Sequence, residues 1–302
     1  IAGAAGAVSI GNGATATLTL DGTTYTSTGA QTYEANDINI TAGADVTFTT
    51  TNTAVEFQDG AAGQIVLSDA TDLTITTSGG NITIAPTIAG TDSGGGGNTA
   101  EDITLNAAGG TVTLSNTGAA VLATEIGDVT LTGATIALSN SITSTGTNSA
   151  GAAATIDING AVTLNDNDIT ITTGGAGIDF SSTIVSGSAT PRALTIAQGA
   201  GAVVINGNIG GTASNDVGNI TIGATGHNGN ITLSGDIGTD SVAGAAVVAL
   251  GNANTGLITL GGAEYNTSGT QTYTADDYNL NGTAITLITS ADIVTFNDGG
   301  AD

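Results

Sequence analysis

The stretch Gly218-Asn219-Ile220-Thr221-Ile222-Gly223-Ala-Thr-Gly226-His227-Asn228-Gly229-Asn230-Ile231-Thr232-Leu233 carries the pattern that the rest of the chain repeats. In extended backbone, successive side chains point to opposite faces. Ile220 and Ile222 therefore share one face and Thr221 takes the other, as do Ile231, Leu233 and Thr232. Gly-Asn before each triplet tolerates positive φ and lets the chain turn. The same apolar-Thr-apolar triplet recurs as Leu18-Thr19-Leu20, Leu73-Thr74-Ile75, Ile82-Thr83-Ile84, Ile103-Thr104-Leu105, Val112-Thr113-Leu114 and Val129-Thr130-Leu131. It continues as Val162-Thr163-Leu164, Ile169-Thr170-Ile171, Leu194-Thr195-Ile196, Ile258-Thr259-Leu260 and Ile285-Thr286-Leu287.

Many short strands separated by turn residues fit a parallel β-solenoid with irregular coils or, alternatively, antiparallel β-sandwich repeats. Triplets often follow one another after 7 to 11 residues, with other gaps of 17 to 27, which predicts two or three strands per coil of about 20 to 30 residues. Aromatic residues, the usual anchors of a sandwich core, are missing from the middle of the chain, and small outward residues suit like-on-like stacking. The solenoid is the expected fold. Helical periodicity is nearly absent; the one Ala-rich candidate is Asp240–Leu250, which is also β-branched.

Composition excludes much chemistry. The 302 residues hold 26 acidic side chains against one basic one, Arg192, and no Cys, Met or Trp, for a net charge of −25. Nucleic acid and anionic membrane surfaces would repel such a chain, so neither is an expected partner. No apolar run is long enough for a membrane-spanning helix. Without Cys there is no disulfide scaffold, and with the single His227 no Cys/His zinc site. His227 lies in a turn-like setting and reads as an exposed loop residue rather than a catalytic base. No enzyme activity is expected.

A longer repeat overlies the short one. Tyr25, Gly29, Gln31, Thr32, Tyr33, Ala35, Asp37 and Asn39 recur 240 residues later as Tyr265, Gly269, Gln271, Thr272, Tyr273, Ala275, Asp277 and Asn279. The match closes at Phe57-Gln-Asp59-Gly60 and Phe296-Asn-Asp298-Gly299, one residue out of step. Of the nine aromatic residues only Phe180 lies outside these copies. The organisation reads as a solenoid start with an aromatic segment (1–60), a Gly/Thr/Asn-rich body (61–245) and a second aromatic segment (246–302). Aromatic groups bring the largest buried area per residue, so Tyr25, Tyr33, Phe57, Tyr265, Tyr273, Tyr278 and Phe296 are the candidate interface residues.

Gly127-Asp128-Val-Thr-Leu131-Thr-Gly-Ala-Thr-Ile136-Ala-Leu138 and Gly229-Asn230-Ile-Thr-Leu233-Ser-Gly resemble the repeats of filamentous-haemagglutinin-type exoproteins and β-strand-repeat adhesins. The resemblance implies a right-handed parallel β-helix exported to the cell surface and used as a fibre or adhesin stalk. Its partners would be identical chains, head to tail, or further repeats of the same polypeptide. The competing function is a carbohydrate-binding or carbohydrate-cleaving β-helix, which needs paired carboxylates in a groove; no spacing here nominates a pair.

Calcium is the one ion with a motif. Gly174-Gly175-Ala-Gly177-Ile-Asp179-Phe matches the opening of the calcium-binding nonapeptide, and Asp179 is the candidate ligand; Asn165–Asp168 and Asp298 offer further hard oxygens. A single copy of the motif reads more readily as solvated turn carboxylates than as a calcium site, so no cofactor is required and calcium is the alternative. Thr-x-Thr pairs such as Thr74/Thr76 are similar to those of ice-binding solenoids, yet their uneven spacing predicts uneven rows.

Overall fold

The computed structural model describes residues 6–68, 71–91, 101–115, 126–148, 150–197, 199–211, 215–223, 226–238, 245–290 and 292–300. They form an all-β, parallel β-solenoid, with no helix among them. The chain divides into two compact units, 1–160 and 161–302, so each holds one aromatic segment and part of the Gly/Thr/Asn-rich body.

In the first unit three rows of strands stack coil upon coil. The first row runs through Val8–Gly11, 31–34, 55–57, Ile82–Ile84, Thr111–Leu114 and 135–138. Thr17–Leu20, 37–40, 64–67 and Thr87–Gly90 make the second row. Thr24–Ser27, Val46–Thr50, Leu73–Thr77, 103–106 and 129–132 make the third. The second unit repeats the plan. Its first row is Ile169–Thr173, Leu194–Ala197, Ile220–Ile222, Val248–Gly251, Gln271–Ala275 and Val294–Asp298. Its second row is Ile178–Phe180, Val203–Ile205, Ile231–Leu233, Leu257–Leu260 and Asp277–Leu280. Its third row passes through Ile184–Ser186, Ile209, Ile237, Glu264–Thr267 and Thr286–Thr289.

Register gives the coil length directly. Val8, Gln31, Val55, Ile82, Val112 and Ile136 stack in turn, so a coil takes 23 to 30 residues. All these pairings are parallel, which excludes the antiparallel sandwich. The variation in length falls in the corners and leaves the columns even. Thr24, Thr47, Thr74, Thr104 and Thr130 stand in one outward column, and Thr26, Thr49, Thr76, Asn106 and Thr132 in the next. The uneven rows expected from sequence spacing are thus corrected for this face.

Inward positions hold the apolar side chains of the triplets. Phe48, Ile75, Leu105 and Leu131 form one buried column, and Ile38, Ile65 and Ile88 another. Burying each Val, Leu or Ile contributes about 1.5–3 kcal/mol, so the core is built from short identical contributions rather than one large cluster. The Asp240–Leu250 helix candidate is corrected where it is described: Ala245 bridges Thr267 and Val248–Gly251 is a strand, while 240–244 lie outside the described residues. The small, apolar start at Ile1–Ala5 also lies outside them.

His227 is not an exposed loop residue. It is fully buried at the corner between Ile220–Ile222 and Ile231–Leu233. A Cβ on Gly223, whose φ is +70°, would lie 2.6 Å from the imidazole Cδ2, so glycine makes room for the ring. Arg192 is held between coils. Its Nε donates to Asn165 O (3.3 Å), its own carbonyl accepts from Gly218 N (2.8 Å), and Ala193 N donates to Asp168 Oδ1 (2.8 Å).

Candidate functional site: two tyrosine–glutamine clasps and an uncovered end coil

Alternation in Gln31-Thr32-Tyr33 sends Gln31 inward beside Tyr33, where a polar amide needs partners. The Gln31 Nε2 amide faces Tyr25 O (3.0 Å), Ser27 Oγ (3.1 Å) and Thr49 O (3.0 Å), and its Oε1 accepts from Tyr33 Oη (3.0 Å). Ser27 Oγ donates to Gly29 O, and Tyr25 Oη accepts from Gly22 N. One glutamine thereby fastens two successive coils.

The second copy reproduces this clasp. Gln271 Nε2 faces Tyr265 O (2.8 Å), Thr267 Oγ1 (3.2 Å) and Ile288 O (2.7 Å), and Oε1 accepts from Tyr273 Oη (2.9 Å). Thr267 replaces Ser27 and donates to Gly269 O, while Gly262 N donates to Tyr265 Oη. The corner preceding each clasp also matches: Asn12 N and Asn252 N donate to Thr15 Oγ1 and Thr255 Oγ1, both at 3.0 Å. A 240-residue sequence repeat is therefore a repeat of three-dimensional contacts.

Rings stack along the coils. Tyr25 lies on Phe48 (4.7 Å, 9°) and Tyr33 on Phe57 (5.1 Å, 20°), with the two stacks edge to face. In the second copy Tyr273 lies on Phe296 (4.9 Å, 15°), whereas Leu287 takes the place of Phe48 over Tyr265. Burial pushes the Tyr33 and Tyr273 phenols far above their ordinary range, and Tyr265 up to about 12. These hydroxyls are neutral and committed to hydrogen bonds. What the clasp supplies is cohesion between coils.

Of the seven candidate interface residues, Tyr25, Tyr33, Phe57, Tyr265 and Tyr273 are interior groups of their own coils. Only Tyr278 and Phe296 reach the surface, together at 5.1 Å edge to face on the last coil. Asp277–Leu280, Thr286–Thr289 and Val294–Asp298 each pair with a strand on one side only, among the described residues. Phe57 is 0% exposed and its counterpart Phe296 42%; Ile40 is 0% exposed and its counterpart Leu280 55%; Ile293 stands 67% exposed beside them.

Asp179 faces outward from Ile178–Phe180 and its Oδ1 accepts from Asn206 Nδ2 (3.4 Å). Asp168 and Asp298 serve as acceptors for Ala193 N and Gly300 N. The structure does not bring these carboxylates together, and no group of three or more His, Asp or Glu able to hold a metal occurs among the described residues.

A carboxylate column escaped the sequence reading. Asp45, Asp72, Asp102 and Asp128 stand directly before the stacked third-row residues Val46, Leu73, Ile103 and Val129, with a register shift at Asp102. Asp72 Oδ1 accepts from Asp102 N (2.9 Å), Asp102 Oδ1 from Asp128 N (2.7 Å), and Asp128 Oδ1 from Thr155 N (2.7 Å). Burial first, then the neighbouring charges of Asp102, Asp45 and Asp128, raises the Asp72 pKa. The signal was an Asp before four of the third-row strands of the first unit, as in Asp72-Leu-Thr-Ile75 and Asp102-Ile-Thr-Leu105.

Compared with known proteins, the chain matches no protein-family model, no curated protein and no solved structure.

Proposed function

We propose that this chain is a structural segment of an extended extracellular fibre or adhesin stalk, its role being to extend a stack of coils. The observation that carries the reading is the duplicated clasp, which recurs with the same partners 240 residues apart. A repeat at this spacing is what lengthening by whole blocks of coils produces. The sequence resemblance to repetitive surface proteins agrees with a role outside the cell. The Tyr33 and Tyr273 phenols and the Asp72 and Asp102 carboxylates are engaged as donors and acceptors within the stack. Electron microscopy of material from the source cell surface, with intact mass, is the test. Thin fibres labelled by antibody to this chain support the reading; a dispersed, unassembled protein inside the cell overturns it.

A further inference from the structure

We infer that the outward threonine face of the third row in the first unit binds ice, its occupant being the ordered water lattice of a growing crystal surface. The inference goes beyond the fibre reading and stands without it, since it concerns the side of a coil stack and not how the stack is extended.

The face is a two-dimensional array. One column runs from Thr24 to Thr130 and the next from Thr26 to Thr132, over five coils, with Asn106 the single residue that is not Thr. Coils stack at about 4.8 Å, and residues two apart along a strand stand about 6.7 Å from each other. Residue-for-residue pairing holds through 24–26, 47–49, 74–76, 104–106 and 130–132, so both spacings repeat without a slip. Stacked coils keep such a sheet flat, and the stiff χ1 of a β-branched side chain fixes methyl and hydroxyl alike.

The hydroxyls supply a second, independent observation. Thr50 and Thr77, which point inward, each donate to a carbonyl, Thr53 O and Gly80 O. On the outer face, Thr47, Thr49, Thr74, Thr76, Thr130 and Thr132 are half-buried, and their hydroxyls have no protein partner among the described residues. At about 4.8 Å between coils, the neighbouring hydroxyl is beyond hydrogen-bond reach, so each of these groups bonds water. Rows of waters held this way take on the spacing of the columns. Ice repeats its oxygens at close to both distances, so a growing crystal can share a water layer that the protein already holds in place.

Charge separates this face from its neighbours. In a chain of net charge −25 the array carries no ionisable residue, whereas the first row turns Glu34 and Glu56 outward and the second Asp37. Asp45, Asp72, Asp102 and Asp128 stand at one edge, where the last three accept from backbone N–H groups of the following coil. An ionised group inside the array would hold a hydration shell of its own and interrupt the lattice. A sugar polymer would call for aromatic platforms, and Tyr25 and Phe48, the rings of these strands, are buried on the inner side.

The test is to grow ice slowly from a dilute solution of the 302-residue chain and to read on a gel the fraction of the chain carried into it. The chain should enter the ice rather than stay in the liquid, as ordinary solutes do. Thr74→Tyr, at the centre of the array, and Thr49→Lys, beside it, should each cut that uptake by about tenfold or more, with melting temperatures close to the parent's. Thr83→Tyr puts the same bulk on the first-row face and should leave uptake unchanged. Exclusion of the parent chain from ice overturns the inference. So does full uptake by a folded Thr74→Tyr or Thr49→Lys chain, or an equal loss in Thr83→Tyr. Capture on crystalline cellulose or chitin without uptake by ice also overturns it, in favour of a carbohydrate-binding face.

Discussion

Gln31 and Gln271 each concentrate several buried polar partners on one amide, so their removal strands more than it deletes. Gln31→Leu keeps the volume but leaves Tyr33 Oη, Tyr25 O and Thr49 O short of a partner. At about 1–3 kcal/mol for each stranded group, the variant should lose several kcal/mol from the first unit. Thermal scanning with hydrogen exchange should show early opening around 24–50, while Tyr33→Phe should cost only about 1 kcal/mol. Asp72 gives a prediction of opposite sign. Its pKa is raised in the folded state, so folding binds a proton that the unfolded chain has released, and stability falls as pH rises above the ordinary carboxylate value. Asp72→Asn can still accept from Asp102 N, and it should raise the melting temperature at pH 7 with the gain vanishing near pH 3. A destabilised Asn variant at pH 7 would show that the carboxylate charge is needed. The identities Tyr25/Tyr265, Gln31/Gln271 and Tyr33/Tyr273 were plain in the sequence. The hub role of the glutamine was not, because a polar residue beside Thr reads as outward until alternation with Tyr33 is followed.

Coils approach each other closely at their corners, and there single glycines are required. A Cβ at Gly63 would sit 1.1 Å from Asn36 O, and one at Gly229 would sit 1.7 Å from Gly201 O. Both collisions are with backbone, so no rotamer change relieves them. Gly63→Ala should destabilise by about 3 kcal/mol or more and expose 37–40 and 64–67 to hydrogen exchange. Gly109→Ala, with open space around it, should be near neutral. Strand triplets such as Ile220-Thr-Ile222 were legible because period-two alternation survives any coil length. Row assignment was not legible, since 31–40 and 55–67 each run through a corner and serve two rows. The aromatic segments were read as interfaces for a related reason. Rings clustered at 25–57 suggest a surface until the next coil is seen to cover them, as Ile75 covers Phe48 and Ile84 covers Phe57.

Within each unit a coil touches only its neighbours, so stability accumulates coil by coil and opening begins where a coil has one neighbour. Composition excluded whole classes of chemistry, yet it could not say which groups are engaged, because that depends on stacking register. One tie between coils bears on resistance to proteolysis. Trypsin cuts after Lys or Arg, and Arg192 is the single such residue. The peptide bond that follows it is pinned on both sides, by Gly218 N on the Arg192 carbonyl and by Asp168 on Ala193 N. A protease must draw several residues around the scissile bond into its own cleft, which here means tearing strands out of the stack. The folded chain should therefore stay whole for hours in trypsin at 25 °C and yield two fragments only after denaturation, as gel electrophoresis would show. Rapid native cleavage at 192 would mean that this corner opens freely. For a fibre of the kind proposed, one pinned Arg192 would leave a trypsin-like protease almost nowhere to cut.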